Sequence, residues 1–279
     1  MLLLDYLQYL PLAELFAATV FFGAAVGAIV LFTIRLTLRA LKVDRKQALP
    51  IRESLIGGLT GMFAIMLAFS AAGIWTDDIR AREAVQREAN ALENIAALAS
   101  YLPRQLRDEV RNQIMVFGRR TIDKDWPAMQ QRATLNEQLF ERLGRSPIVG
   151  LIDQLSSGAG GSTTGPAFGV LVGQLMELRS ARIQREMIAR GGVSPAQWMA
   201  LILIPMAALT LIVLAYNHDF RWQLTAASIY LVAVCAALFV ILAHDRPFVG
   251  HLGIKPIPIE RAMERIQHGS VLQNPVSNR

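Results

Sequence analysis

Long apolar runs, not strict alternation, dominate this chain. Four stretches, at about Leu12–Ile34, Ser54–Thr76, Pro195–Asn217 and Trp222–Ala243, carry almost no charge. Each is long enough for a helix to cross the hydrocarbon core, which takes about 20 apolar residues. Only helices and closed barrels satisfy their backbone polar groups in lipid, and these runs lack the alternation of barrel strands. The pattern therefore predicts an all-α integral membrane protein with four transmembrane helices. It divides the chain into a first membrane pair (1–76), a helical extramembrane domain (77–194), a second membrane pair (195–244) and a tail (245–279).

The second run is the one that joins membrane to polar region most directly. Ser54–Asn90 turns from apolar to charged after Thr76 without a proline, which predicts one continuous helix leaving the bilayer. Its membrane part has two faces. Gly57, Gly58, Gly61, Ala64, Ala68, Ala71, Ala72 and Gly73 are small, while Met62, Ile65, Met66 and Phe69 are large. Small residues let helix backbones approach closely in lipid. One reading is a tightly packed core helix. The other is a helix around an axis that presents Gly61, Met62, Ile65 and Phe69 to a pore, with Ile65 and Phe69 one turn apart.

The polar region reads as helical throughout. Asp77–Ser100 carries Ile79, Val85, Ala89, Leu92, Ile95 and Leu98 close to helical spacing. Pro103 breaks it, and Arg104–Asp123 resumes with Leu106, Val110, Ile114 and Phe117. Asp125–Trp126–Pro127 is expected to end that helix. Thr134–Leu143 and Pro147–Leu155 are shorter candidates, and Ser156–Pro166 is a loop by composition. Ala167–Arg190 forms the last helix, stopped by Gly191 and Gly192. Ser194 and Pro195 then open the third span as cap and first-turn proline. Arg82, Arg87, Glu88 and Glu93 offer helix-face pairs, for which a solvated face is the expectation. Pro205 can kink the third span, and Asn217–Arg221 makes a tight turn into the fourth. In the tail, Pro256 and Pro258 precede a short helix, Ile259–Gln267. Its apolar face of Ile259, Met263 and Ile266 needs a partner, either another chain or the polar helices.

Charge refines this picture. The net charge is +6, and much of the basic excess sits in the first loop, at Arg35, Arg39, Lys42, Arg45, Lys46 and Arg52. A short basic loop is expected in the cytoplasm, with the polar domain opposite, and Arg35–Arg52 is expected to touch anionic lipid. No nucleic-acid-binding motif accompanies the charge. Cys235 is the single cysteine, so no intrachain disulfide forms. The N-terminal run is not read as a cleavable signal, because it lacks a basic lead and carries Asp5 and Glu14.

Candidate chemistry is sparse. No span carries an ionisable side chain near its centre, which argues against proton relays and coupled carriers. The Ser156–Pro166 loop lacks the Gly-Lys-Ser/Thr ending of a phosphate-binding loop. His218 and His244 stand alone at span ends, so no metal and no cofactor is expected. The chain does not read as an enzyme. A passive pore with an apolar constriction needs no buried charge and can gate by dewetting.

Several motifs then resemble a known family. Leu67–Ala68–Phe69, Trp75 and Arg80–Ala81–Arg82–Glu83 look like the bestrophin stretch in which a pore helix runs into an Arg-containing segment. Gln86–Leu92, with Glu88 and Asn90, and Asp125–Trp126–Pro127 are similar to signatures of bestrophin-like bacterial membrane proteins, long classed as a domain of unknown function. Asp245–Arg246–Pro247–Phe248–Val249–Gly250 looks like the element that follows the last bestrophin span. The resemblance covers nearly the whole chain. It implies a homo-oligomer, a pentamer on the bestrophin pattern, with the second span lining a path for an inorganic anion such as chloride. Phe69 and Ile65 fall at apolar neck positions, and Gly61 falls where bestrophins can carry a larger side chain. The acidic calcium-binding run of animal bestrophins is missing, since His251–Lys255 stands near its place. The resemblance also implies a cytosolic helical domain, the reverse of the charge rule, which is followed here. The rival reading is a non-conducting scaffold or signalling protein acting through its helical domain. A small-solute transporter would need a midplane polar site that the spans do not offer.

Overall fold

The computed structural model describes residues 10–41, 53–130, 166–250 and 252–268, and among these it is helical, with no strand. Four of its helical stretches are long and apolar enough to cross a membrane. The described residues fall into two compact units. The first is built from the chain up to Thr76, Gly192–Arg246 and Gly250–Leu252, and the second from Asp77–Gly191, Pro247–Val249 and the chain from Gly253 onward.

The first unit holds the apolar runs. Helix α1 (Leu12–Ala40) outlasts its predicted span and carries Arg35 and Arg39 of the basic loop on its last turns. The rest of that loop lies outside the described residues. Arg35 is held by Gln223, whose Oε1 accepts from Nη2 at 3.3 Å, and by the Phe220 ring, whose centroid is 4.2 Å from the guanidinium carbon. Gln223 in turn donates to the Val213 carbonyl at 2.6 Å. These contacts tie α1 to the hairpin formed by α6 (Pro195–Ala215) and α7 (Phe220–His244). The expected start of α6 is present. The Ser194 hydroxyl accepts from the Gln197 amide N–H, the Gln197 side chain accepts from the Ser194 amide N–H, and Pro195 sits in the first turn. The helix runs unbroken past Pro205.

Helix α1 packs on both α6 and α7. Gly23 allows the approach to α7: a Cβ there would collide with Cys235 Sγ, and one at Gly27 would meet Leu231. Close backbone contact of this kind replaces the hydrophobic drive that is absent in lipid. At the other end, Gly192 adopts φ 140°, a conformation that suits glycine and that L side chains rarely adopt. The turn it makes delivers the Val193 N–H to Asp245 Oδ1 at 2.6 Å.

Helix α2 spans Glu53–Ala99 without interruption, as the sequence pattern predicts. Its residues from Asp77 join the second unit with α3 (Arg104–Arg120), a π-helical turn (Thr121–Asp125), α4 (Trp126–Gln130) and α5 (Pro166–Arg190). The expectation that Asp125–Trp126–Pro127 ends a helix is corrected here. The π turn shifts the hydrogen-bond register, so that the Trp126 N–H reaches the Thr121 carbonyl. Pro127 then falls in the first turn of the new segment, where its missing N–H is tolerated. Helix α8 (Ile257–Gln267) begins two residues earlier than predicted and takes Pro258 into its first turn. Its face of Ile259, Met263 and Ile266 is buried within this chain, with α8 packed on α3. That decides between the two partners the sequence left open. The stretches Thr134–Leu143 and Pro147–Leu155, and residues 156–165, lie outside the described residues.

Candidate functional site

The membrane part of α2 uses one face inside its own unit. Phe63 and Ile74 are buried against Leu201, Val234 and Ile241, and the Ser70 hydroxyl turns back to the Met66 carbonyl at 2.9 Å. The remaining face is open. Met62, Ile65 and Phe69 are exposed, Phe69 to 72%. Gly61 is exposed as well, and a Cβ at Gly57, Gly58, Gly61 or Gly73 would touch nothing. The four residues predicted to line a pore therefore share a face that the described residues leave exposed.

The motif residues differ in exposure. Trp75, Arg82 and Asn90 are exposed. Arg82 donates to Asp78 at 2.8 Å, a hydrogen bond that holds its guanidinium above the ordinary value against the pull of burial. Asn90 accepts from Gln86 at 2.9 Å. In the first unit, Arg246 lies half-buried with Nε 3.8 Å from the Asp245 carboxylate. Glu88, Trp126, Pro247 and Phe248 are buried in the second unit. Trp126 stands edge-on to Phe248 at 5.6 Å and donates from Nε1 to the Ile254 carbonyl at 3.1 Å.

The expectation of a solvated Glu88 is corrected: it is fully buried. It shares a face of α2 with Ala81, Ala84, Val85, Leu92 and Ile95, which is the face that enters the core. Its partner is Arg185 on α5, also fully buried, which donates from Nε at 2.7 Å and from Nη2 at 3.1 Å. Arg185 further donates from Nη1 to Met129 Sδ at 3.2 Å, and its guanidinium lies 5.2 Å from the Trp126 ring centroid. Burial works against this charge, but Glu88, Asp125 and Glu186 hold it above the ordinary value. Beside it, Arg182 donates from Nε to Glu186 at 2.8 Å and reaches within 3.0 Å of Asp125 Oδ2.

Sequence reading missed Arg182, Arg185, Asp125 and Glu186 as a group. The signal was available in the spacing, because Arg182 and Arg185 continue the buried stripe of Leu171, Leu175, Leu178 and Ala189 on α5. A charge that falls on an apolar stripe needs a partner on the facing helix. Among the described residues no group of His, Cys, Asp or Glu is arranged to hold a metal.

Over residues 21–259 the sequence matches the Bestrophin-like domain. No curated protein is detectably similar in sequence. The fold is similar to a crystal structure of a bacterial bestrophin homologue from Klebsiella pneumoniae, with a TM-score of 0.65 at 14% identity, over 93% of this chain and 99% of that one. A mutant of that homologue gives a TM-score of 0.63, also at 14% identity, over 92% and 98% of the two chains. At such identity the likeness is one of fold.

Proposed function

The chain belongs to the bestrophin-like family, and from that premise we propose that it is the subunit of a homo-oligomeric channel that conducts inorganic anions passively. The observation that carries the proposal is the open face of α2, where Gly61, Met62, Ile65 and Phe69 stand exposed among the described residues. In a ring of copies this face forms an apolar neck. Such a neck holds no fixed charge, passes ions when wetted and closes by dewetting. The assembly is a pentamer in the cell membrane, the bacterial inner membrane, with the basic Arg35–Arg52 stretch against anionic lipid. No chemical step is assigned to the protein.

The test is chloride flux through the purified full-length protein in liposomes, together with the mass of the assembly in detergent. Flux that changes with the size of residues 65 and 69 supports the reading. A well-folded oligomer that passes no anion overturns it and leaves a scaffold acting through the helical unit.

A further inference from the structure

We propose that Asp125 is a proton-binding site buried in the second unit, and that the charges around it make this unit responsive to pH. The proposal goes beyond conduction and does not depend on it.

Glu88, Asp125 and Glu186 supply three carboxylates, and Arg182 and Arg185 supply two guanidiniums. Each guanidinium already gives its Nε hydrogen bond to another acid. Arg185 is committed to Glu88 by two hydrogen bonds, and Arg182 is committed to Glu186 through Nε. Asp125 is the acid left over. It is 2% exposed, and neither of its oxygens receives a hydrogen bond among the described residues. Arg182 Nη2 is 3.0 Å from Oδ2 but misaligned for donation, and that Nη2 likewise has no hydrogen-bond partner. Arg185 Nη2 stands at 3.8 Å, beyond hydrogen-bond range. Charge proximity alone therefore compensates this carboxylate, in a place that excludes water.

A bound proton resolves the imbalance. It leaves two carboxylates for two guanidiniums and turns Asp125 into a hydroxyl donor. An acceptor is near in the chain: Thr121, one turn earlier in the same π segment, is fully buried and its hydroxyl has no hydrogen-bond partner among the described residues. The charged groups acting on Asp125 are Arg182, Arg185 and Glu186 on α5 and Glu88 on α2. Helix α3 presents Phe117 to Arg182, and α4 presents Trp126 and Met129 to Arg185. Burial pushes the Asp125 carboxyl above the usual carboxylate range, Arg182 and Arg185 pull it back, and Glu186 and Glu88 push it up again, for a net rise.

A carboxyl with a raised folded value binds its proton more tightly in the folded state than in the unfolded state. Its contribution to stability is complete below the unfolded value and is lost as pH rises through the folded value. Ionised Asp125 then competes with Glu186 and Glu88 for the same two arginines, and the second unit loses stability.

The experiment uses the full chain in detergent. Infrared spectra taken while pH is raised from below the ordinary carboxylate range are expected to show a protonated-carboxyl band that persists above that range. The band should be missing in Asp125→Asn. Thermal unfolding of the wild type should weaken as pH rises through the band's titration, while Asp125→Asn, which stays neutral, should lose that slope. Should Asp125→Asn fail to fold, Asp125→Glu keeps the acid and is expected to move the titration. A band and slope unchanged in these variants, or no protonated carboxyl above the ordinary range, overturns the proposal.

Discussion

Glu88 and Arg185 are separated by 97 positions yet joined by hydrogen bonds of 2.7 and 3.1 Å, with neither side chain exposed to solvent. Removing one partner from such a pair leaves an uncompensated charge in the interior, at a cost of about 3–5 kcal/mol. Glu88→Gln is expected to lower stability by that order, read from denaturant unfolding in detergent. Glu88→Leu combined with Arg185→Met removes both charges and should recover most of the loss. A single variant that unfolds like the wild type would contradict the geometry.

The indole of Trp126 combines an apolar contact and a polar one. Trp126→Phe keeps a ring against Phe248 but takes the donor from the Ile254 carbonyl. Leaving a buried acceptor unpaired costs about 1–3 kcal/mol. The Ile254 amide, which donates to the Pro247 carbonyl at 2.7 Å, should exchange its hydrogen faster in the variant. Unaltered exchange with unaltered stability would mean that the indole bond contributes nothing.

Gly23 and Cys235 form a steric pair. A methyl group added at Gly23 meets Cys235 Sγ, so Gly23→Ala should destabilise the first unit by about 1–3 kcal/mol through overpacking. Cys235→Gly opens the space, and the two changes together should cost less than their sum. Thermal unfolding of the four proteins measures the coupling; strict additivity would separate the two residues.

The uncovered face of α2 makes the sharpest functional prediction. Phe69→Ala and Ile65→Ala should each change chloride flux by roughly twofold or more while the mass of the assembly stays the same, because a smaller apolar side chain widens and wets a neck. Fluxes equal to wild type would remove these residues from any conducting path.

Much of this could be read from the chain. The apolar runs are long, and the capping signals at Ser194 and Pro195 are local, so four membrane helices and their order follow from length and end chemistry. The burial of the tail helix also follows from the spacing of Ile259, Met263 and Ile266, although its partner did not, since a stripe states that something covers it and not what. The charged core was harder to see. Glu88 and Arg185 each sit among ordinary helix-face charges, and their pairing depends on how α5 returns beside α2, which no local pattern encodes. The π turn was hidden for a different reason. Pro127 is a strong stop signal by itself, and only a shift in hydrogen-bond register makes it harmless.

That turn has one more consequence. An α-helix advances about 100° per residue, so a segment closed by the longer π step holds one residue more than the regular winding needs. The surplus acts as a phase setting: the segment Trp126–Gln130 is rotated by that one step. It turns the Trp126 indole toward Arg185 and the Ile254 carbonyl. The information here resides in the number of residues between Arg120 and Trp126, not in which residues they are. Deleting exposed Lys124 would therefore misdirect the indole more thoroughly than many substitutions inside the core itself.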